Sequence, residues 1–432
     1  MTRYLRLLRR RDYALLWIGA TVSALGDGMS FIALVWLVLE RGGDPGAVGW
    51  LAAAYTGPVV IGGLAAGLIL DRFDRRRVLA ADNLVRGIAI ASIPVADALG
   101  VLGTPQLFVV AAVYGLLFMT SLAGIPSLIP TLVGDDELTT ANAMESLSYG
   151  IAGLSGPALA GVVIAFLGAP AVLALDAVTY GIFVVCLLAM RPGDRAAESP
   201  SPAASSPAAS SPAASSAAPA GRGLGPAIRF VLGAPAILAI TVIYMAINIG
   251  QGIFIVLAPV YARDVLGGGA TTYGTLVSAF TGGSLVGALL VGGIGWRWPL
   301  GRSIAAATLA TGLAMGLLLA TPPLVPTILT LALAGLLASS LTAWAQTIRM
   351  RLIPPELRGR VFALLRTLMQ STPPIGAVSG GILLAGGDAI PAIAAMAALI
   401  AIPGAVGLVL PALGREATGE PSQSTAEELS AA

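Results

Sequence analysis

Few side chains in this sequence are equipped for chemistry, and those few lie in apolar surroundings. Asp27 falls near the middle of an apolar run long enough to cross a membrane, with Ser23 and Ser30 on the same helical face by i, i+4, i+7 spacing. An ionised carboxylate at that depth costs about 2.5 to 3.5 kcal/mol even on the lenient insertion scale, so something must compensate it. Two readings stand. Asp27 is a carboxylate that loads and releases a proton or binds a cation, facing a central cavity, or it is a structural hydrogen-bonding group that ties its helix to a neighbour. Asp82 and Arg86, one helical turn apart, are placed to neutralise each other and read as a structural pair supporting the loop nearby. Glu145 and Arg366, at the starts of their spans, face one another or solvate in the headgroups, and Asp176 sits shallow in its span; each is an alternative coupling site. The sequence has no Lys, no His and a single cysteine, Cys186. Without Lys there is neither a Walker A motif nor a Schiff base, and without His no zinc or haem site of the usual ligand types. No metal, cofactor or catalytic group is expected. A proton relay, with the proton gradient as energy source, must run through carboxylates and water.

The elements that hold these residues are membrane helices. Of 432 residues, 56% are hydrophobic and 11% charged, against roughly 25% charged in a soluble domain. Apolar runs recur end to end, each near the about 20 residues a helix needs to span the hydrocarbon, and they do not alternate as barrel strands do. We read twelve spans, over residues 13–39, 48–70, 78–99, 105–132, 141–167, 171–190, 235–261, 273–294, 303–321, 325–348, 361–385 and 390–410. The first follows Arg9, Arg10 and Arg11 but outruns a signal peptide, so it is expected to stay in the mature chain.

Every basic residue is Arg, and the arginines segregate. With Arg86 and Arg366 inside spans and Arg41 and Arg263 on the far side, all the others fall on one side of the membrane. The positive-inside rule then places both termini in the cytoplasm of a multi-pass protein of the cell membrane. The net charge of +2 is spread over juxtamembrane loops and signals no nucleic acid.

Residues 1–190 form one six-helix bundle and 228–413 a second. Between them, residues 191–227 contain a Ser-Pro-Ala-Ala-Ser repeat with no apolar face, read as a disordered linker, and 414–432 as a disordered tail. The halves echo each other at a nearly constant offset: Glu137-Leu138 matches Glu356-Leu357, and Gly156 with Gly161 matches Gly376 with Gly381. Parallel repeats and coincidence both account for it.

After the second span comes Gly67-Leu68-Ile69-Leu70-Asp71-Arg72-Phe73-Asp74-Arg75-Arg76-Arg77. It resembles the loop motif of the major facilitator superfamily, with Asp74 where Gly usually turns the chain. That resemblance implies that Asp71 latches the cytoplasmic side shut against the start of the eleventh span at Arg358-Gly359-Arg360; the plainer alternative is that Arg72, Arg75 and Arg76 serve topology alone. In the fifth span, Ala152-x-x-x-Gly156-Pro157-x-x-Ala160-Gly161 resembles the superfamily's antiporter motif, beside the alternative of ordinary small-residue packing. Ser23-Ala24-Leu25-Gly26-Asp27, Asp82-x-x-x-Arg86 and the stretch from Pro130 to Asn142-Ala143 resemble the enterobactin-exporter and macrolide-efflux branch. The resemblance implies an all-α fold of two six-helix halves working by alternating access, Gly156 and Pro157 as a bending point, and proton-linked export of a small molecule. Uptake or facilitated movement without antiport, and a sensor that has kept the fold, are the rivals.

Two stripes are candidate cavity lining for a small amphipathic substrate: Tyr114, Phe118 and Ser121 in the fourth span, and Tyr244, Asn248 and Gln251 in the seventh. Helix packing is the alternative for both. The lipid bilayer is the other expected partner, and a monomer the expected state.

Overall fold

In a solvent without hydrogen-bonding partners, apolar runs of this length close their own backbone hydrogen bonds as helices. The computed structural model describes residues 2–191, 225–293, 298–320, 323–354 and 356–414. The N-terminal half comprises α1 (Thr2–Leu8), α2 (Arg11–Glu40), α3 (Pro45–Thr56), α4 (Val59–Arg72), α5 (Arg75–Ala98), α6 (Thr104–Leu132), α7 (Leu138–Leu167) and α8 (Ala169–Ala189). The C-terminal half comprises α9 (Gly225–Gly233), α10 (Pro235–Val260), α11 (Ala270–Gly293), α12 (Leu300–Gly316), α13 (Leu324–Leu352), α14 (Arg358–Gln370), α15 (Pro373–Leu384), α16 (Ile390–Val409) and α17 (Pro411–Gly414). Among the described residues, eleven helices are long and apolar enough to cross a membrane. The place of the eleventh predicted span is filled by α14 and α15, interrupted at residues 371–372 ahead of Pro373 and Pro374, where prolines withhold N–H donors. The second span bends similarly between α3 and α4, at Gly57 and Pro58. The short helices α1 and α9 precede the two halves and were not foreseen; α9 starts inside the stretch assigned to the linker. Residues 192–224 of the linker, nearly all of the tail, and Arg297 lie outside the described residues, as therefore do Arg195, Arg222 and Arg415.

The packing repeats between halves. α2 lies against α7 and α8, as α10 lies against α15 and α16; α5 lies against α6 and α8, as α12 lies against α13 and α16. The glycine echo is part of this repeat. A Cβ on Gly156 would stand 3.1 Å from Gly28 Cα, and one on Gly376 would stand 3.0 Å from Gly252 Cα. Gly161 likewise abuts Ala270 and Thr271, and Gly381 abuts Pro45 and Gly46. Equivalent glycines therefore make equivalent close approaches, which favours a true repeat over coincidence.

The halves meet mainly through α7 against α11 and α3 against α15. One apolar core runs through both halves on the side away from the arginine-rich loops, joining Leu34, Leu37 and Leu51 to Leu257, Tyr273 and Leu384. On the arginine-rich side the core divides. Leu16, Leu79 and Leu187 belong to a core of the N-terminal half alone, and Ile237, Trp344 and Leu365 to one of the C-terminal half alone. The molecule is thus sealed at one face and parted at the other.

Candidate functional site

Four helices of the N-terminal half bring their few charged groups to one place. α5 carries Asp82 and Arg86 on a single face, and Arg86 is 1% exposed. Its guanidinium donates to Asp82 Oδ2 at 2.8 Å and to Ser121 Oγ on α6 at 2.5 Å, and stands 3.5 Å from Asp27 Oδ2 on α2. It donates to the Tyr180 hydroxyl on α8 at 3.3 Å, with the rings of Tyr180 and Tyr114 at 4.8 and 5.5 Å from its central carbon. Tyr180 in turn donates to Asp27 Oδ1. Ser30 donates to Asp176 Oδ2 at 2.5 Å, and Thr179 to Asp176 Oδ1 at 2.9 Å. Asp27 and Asp82 thus share one arginine, with Asp176 held beside them by Ser30 and Thr179, where an unpaired buried charge would be expensive. Gly26 allows α8 to come this close, since a Cβ there would lie 2.0 Å from Asp176 Oδ1.

Access separates the aspartates. The Asp27 side chain is 21% exposed, against 2% for Asp82. Asp27 borders a cavity lined wholly by the N-terminal half. Phe118, Ser121, Ser23 and Arg86 also line it, as do Trp17, Glu145 and Tyr149.

Several expectations need correcting. Asp82 and Arg86, read as support for the nearby cytoplasmic loop, form the hub of the central cluster, because their face of α5 turns toward Asp27 of α2 and Tyr180 of α8 rather than toward the loop. The polar face of α2 looks into the N-terminal bundle: Ser23 donates to Asn83 Oδ1 at 3.4 Å, and Ser30, 1% exposed, reaches Asp176 instead of the cavity. Asp176, in the early part of its span, is 1% exposed. Tyr114 is absent from the cavity wall, its ring stacked on Tyr55 at 4.5 Å. The second stripe lines no shared cavity with the first. Asn248 donates to Met369 O at 2.9 Å, Tyr244 lies beneath Arg349 at 4.9 Å, and Gln251 is exposed. Arg366 meets Met119 Sδ at 3.6 Å across the halves.

The latch is also different. Asp71 is exposed and makes no hydrogen bond or ion pair among the described residues, while Arg358 donates to Ile353 O and Met350 O at 3.1 and 3.0 Å. Arg360 and the exposed Gly359 stand on α14, which barely touches α4 in the parted face. The loop instead staples the N-terminal half to itself. Asp74, the departure from the motif, caps α5 by accepting from Arg77 N at 2.9 Å, and Arg75 and Arg76 donate to Ser127 O and Met190 O at 2.8 and 2.5 Å. Exposed Gly67 and Arg72 sit beside it. Gly156, Pro157 and Gly161 pack in the sealed face, where a Cβ on Gly274 would lie 2.2 Å from Pro157 O.

Asn83, Thr179, Tyr180 and Tyr55 went unrecognised in the sequence. Asp176, Thr179 and Tyr180 are polar at i, i+3, i+4 within an apolar helix, and that spacing was the available signal.

The fold agrees with comparisons to known proteins. The chain is 27% identical over 419 residues to the multidrug efflux pump Tap of Mycobacterium tuberculosis (strain ATCC 25618 / H37Rv), covering 93% of this chain and 94% of that one. It is 22% identical over 372 residues to macrolide efflux protein A of Streptococcus pyogenes, covering 84% and 87%. Among solved structures, a bacterial homolog of the human lysosomal transporter Spinster, in an inward-facing and occupied conformation, superposes with a TM-score of 0.70 at 12% identity, covering 96% and 99%. A D-xylose-proton symporter gives 0.69 at 12%, covering 94% and 99%. The family model described as MFS_3, transmembrane secretion effector, matches residues 4–431, so the chain is a major facilitator superfamily transporter and belongs to that family.

Proposed function

We propose that this transporter exports small amphipathic molecules in exchange for protons, with the arginine-rich face in the cytoplasm and Asp27 as the coupling carboxylate. The observation that carries the reading is the unequal access of the aspartates around Arg86: Asp27 reaches the cavity and Asp82 does not. One guanidinium serves both carboxylates. When Asp27 is ionised it shares Arg86 with Asp82; a proton on Asp27 removes that pair, and Arg86 keeps Asp82 and Ser121 as partners. The proton therefore binds where a neutral fallback exists, and the cluster remains compensated in either state. An exporter facing the cytoplasm has released its proton, which fits an Asp27–Arg86 pair in a molecule parted at the arginine-rich face. Rocking of the halves about the site would then expose Asp27 to the other side. Direction and solute class draw support from the names of the relatives, a multidrug efflux pump and a macrolide efflux protein.

The test is proton-driven uptake of a panel of dyes and antibiotics into inside-out vesicles, wild type against Asp27→Asn. Gradient-dependent transport in wild type, absent from a variant that still folds and binds, is the expected result. Transport indifferent to the gradient, or a fully active variant, would sink the coupling role of Asp27.

A further inference from the structure

Each half begins with a short helix on the arginine-rich side, and the two helices belong to the internal repeat. Leu7 of α1 is buried against α2 and α7, in one core with Leu16, Ala141 and Met144. Ala227 and Val231 of α9 are buried likewise against α10 and α14, in one core with Ile237, Val361 and Leu365. Leu7 and Val231 stand at the offset that relates Gly28 to Gly252, and Ala141 and Val361 at the offset that relates Gly156 to Gly376. Equivalent side chains thus dock each short helix on the first and fifth spans of its own half. The opposite faces are uncovered. Leu5 is 57% and Leu232 65% exposed, and the equivalent pair Tyr4 and Ile228 is exposed with them. Basic groups flank this apolar surface. Arg10 is committed to Glu137 at 2.7 Å, but Arg6, Arg9 and Arg229 are exposed and make no ion pair among the described residues.

A face both apolar and basic, beside the entry of a span, matches the boundary of a leaflet with anionic headgroups. There rings and aliphatic chains sink below the phosphates while guanidinium groups pair with them. Water would leave the apolar part uncovered, and hydrocarbon would leave the arginines unpaired. We propose that α1 and α9 are paired docking elements, one for each half, for anionic phospholipid in the leaflet on the arginine-rich side. The two are unequally charged. Arg6 and Arg9 serve α1, whereas α9 carries Arg229 alone, so α1 selects lipid charge more strongly and α9 is held mainly by apolar burial. Because α9 shares a core with α14, lipid held there abuts a helix that borders the parted face.

The test places a polarity-sensitive fluorophore on Tyr4→Cys or, separately, on Ile228→Cys, each in a Cys186→Ser background of the full chain in lipid nanodiscs. Phosphatidylglycerol or phosphatidylcholine, spin-labelled near the headgroup and present at the same low fraction, serves as quencher. Phosphatidylglycerol should quench the α1 probe about threefold or more strongly than phosphatidylcholine, with a smaller preference at α9. Both preferences should fall toward equality as salt is raised to about 0.5 M. Arg6→Gln with Arg9→Gln should abolish the preference at α1 alone, and Arg229→Gln that at α9 alone, with thermal unfolding unchanged. The proposal is overturned if neither lipid quenches, which would put these faces in water or against a second copy of the chain. It is equally overturned if both lipids quench alike, or if the preference survives loss of the arginines. Should a variant fail to fold, the salt titration of the unaltered arginines decides: a preference indifferent to salt rejects headgroup pairing.

Discussion

The two faces of the molecule are held by different physics. At the sealed face, helices of opposite halves meet backbone to backbone: a Cβ on Gly49 would lie 2.6 Å from Ala377 O, and one on Gly161 would lie 2.6 Å from Ala270 O. Apolar side chains of both halves join there in one core. At the arginine-rich face each half is closed on itself, by its own core and by polar staples such as Asp74, Arg75 and Arg76. Close packing in which Thr271 Oγ1 donates to Gly161 O at 3.1 Å between the halves leaves few directional bonds to break when the faces exchange, whereas the staples keep each half rigid as it moves.

Three substitutions sharpen this contrast, in falling order of effect. Gly274→Ala should be the most severe, because the new methyl would meet a backbone oxygen that has no rotamer to yield. We expect overpacking of about 1 to 3 kcal/mol, read as a lower unfolding temperature in detergent and as new labelling of a cysteine placed at the buried Ala270 in a Cys186→Ser background. Labelling and stability identical to wild type would mean that the sealed face does not depend on backbone contact. Asp74→Ala removes the α5 cap and should cost about 1 kcal/mol in thermal unfolding without exposing Ala270. If it opened the sealed face as well, the staples would not be confined to one half. Gly67→Ala, where a Cβ meets nothing within 4 Å, should change stability by less than about 0.5 kcal/mol; a larger loss would show that α4 is already packed against the other half.

How far the site was legible depends on whether its partners share a helix. Asp82 with Arg86 was readable because i, i+4 spacing brings two side chains together whatever the fold. Asp27 was readable as a buried charge needing a partner, but the partner, 59 positions along the sequence, was not. The burial of Asp176 was not readable for the same reason: distance from a span's end says little about which face of the helix a residue occupies. Asp74 was judged against a family pattern expecting Gly, while its capping role was available from simple helix chemistry.

Sequence by itself determined the membrane class, the helical spans, the sidedness of the arginines and the repeat of glycines, because each follows from hydropathy, charge or spacing along the chain. Tertiary structure decided which aspartates share Arg86, that Asp71 stands free of Arg358, and which face is closed. Those depend on how helices far apart in sequence pack, and on the small free-energy difference between two packings of the same halves, which no local pattern encodes.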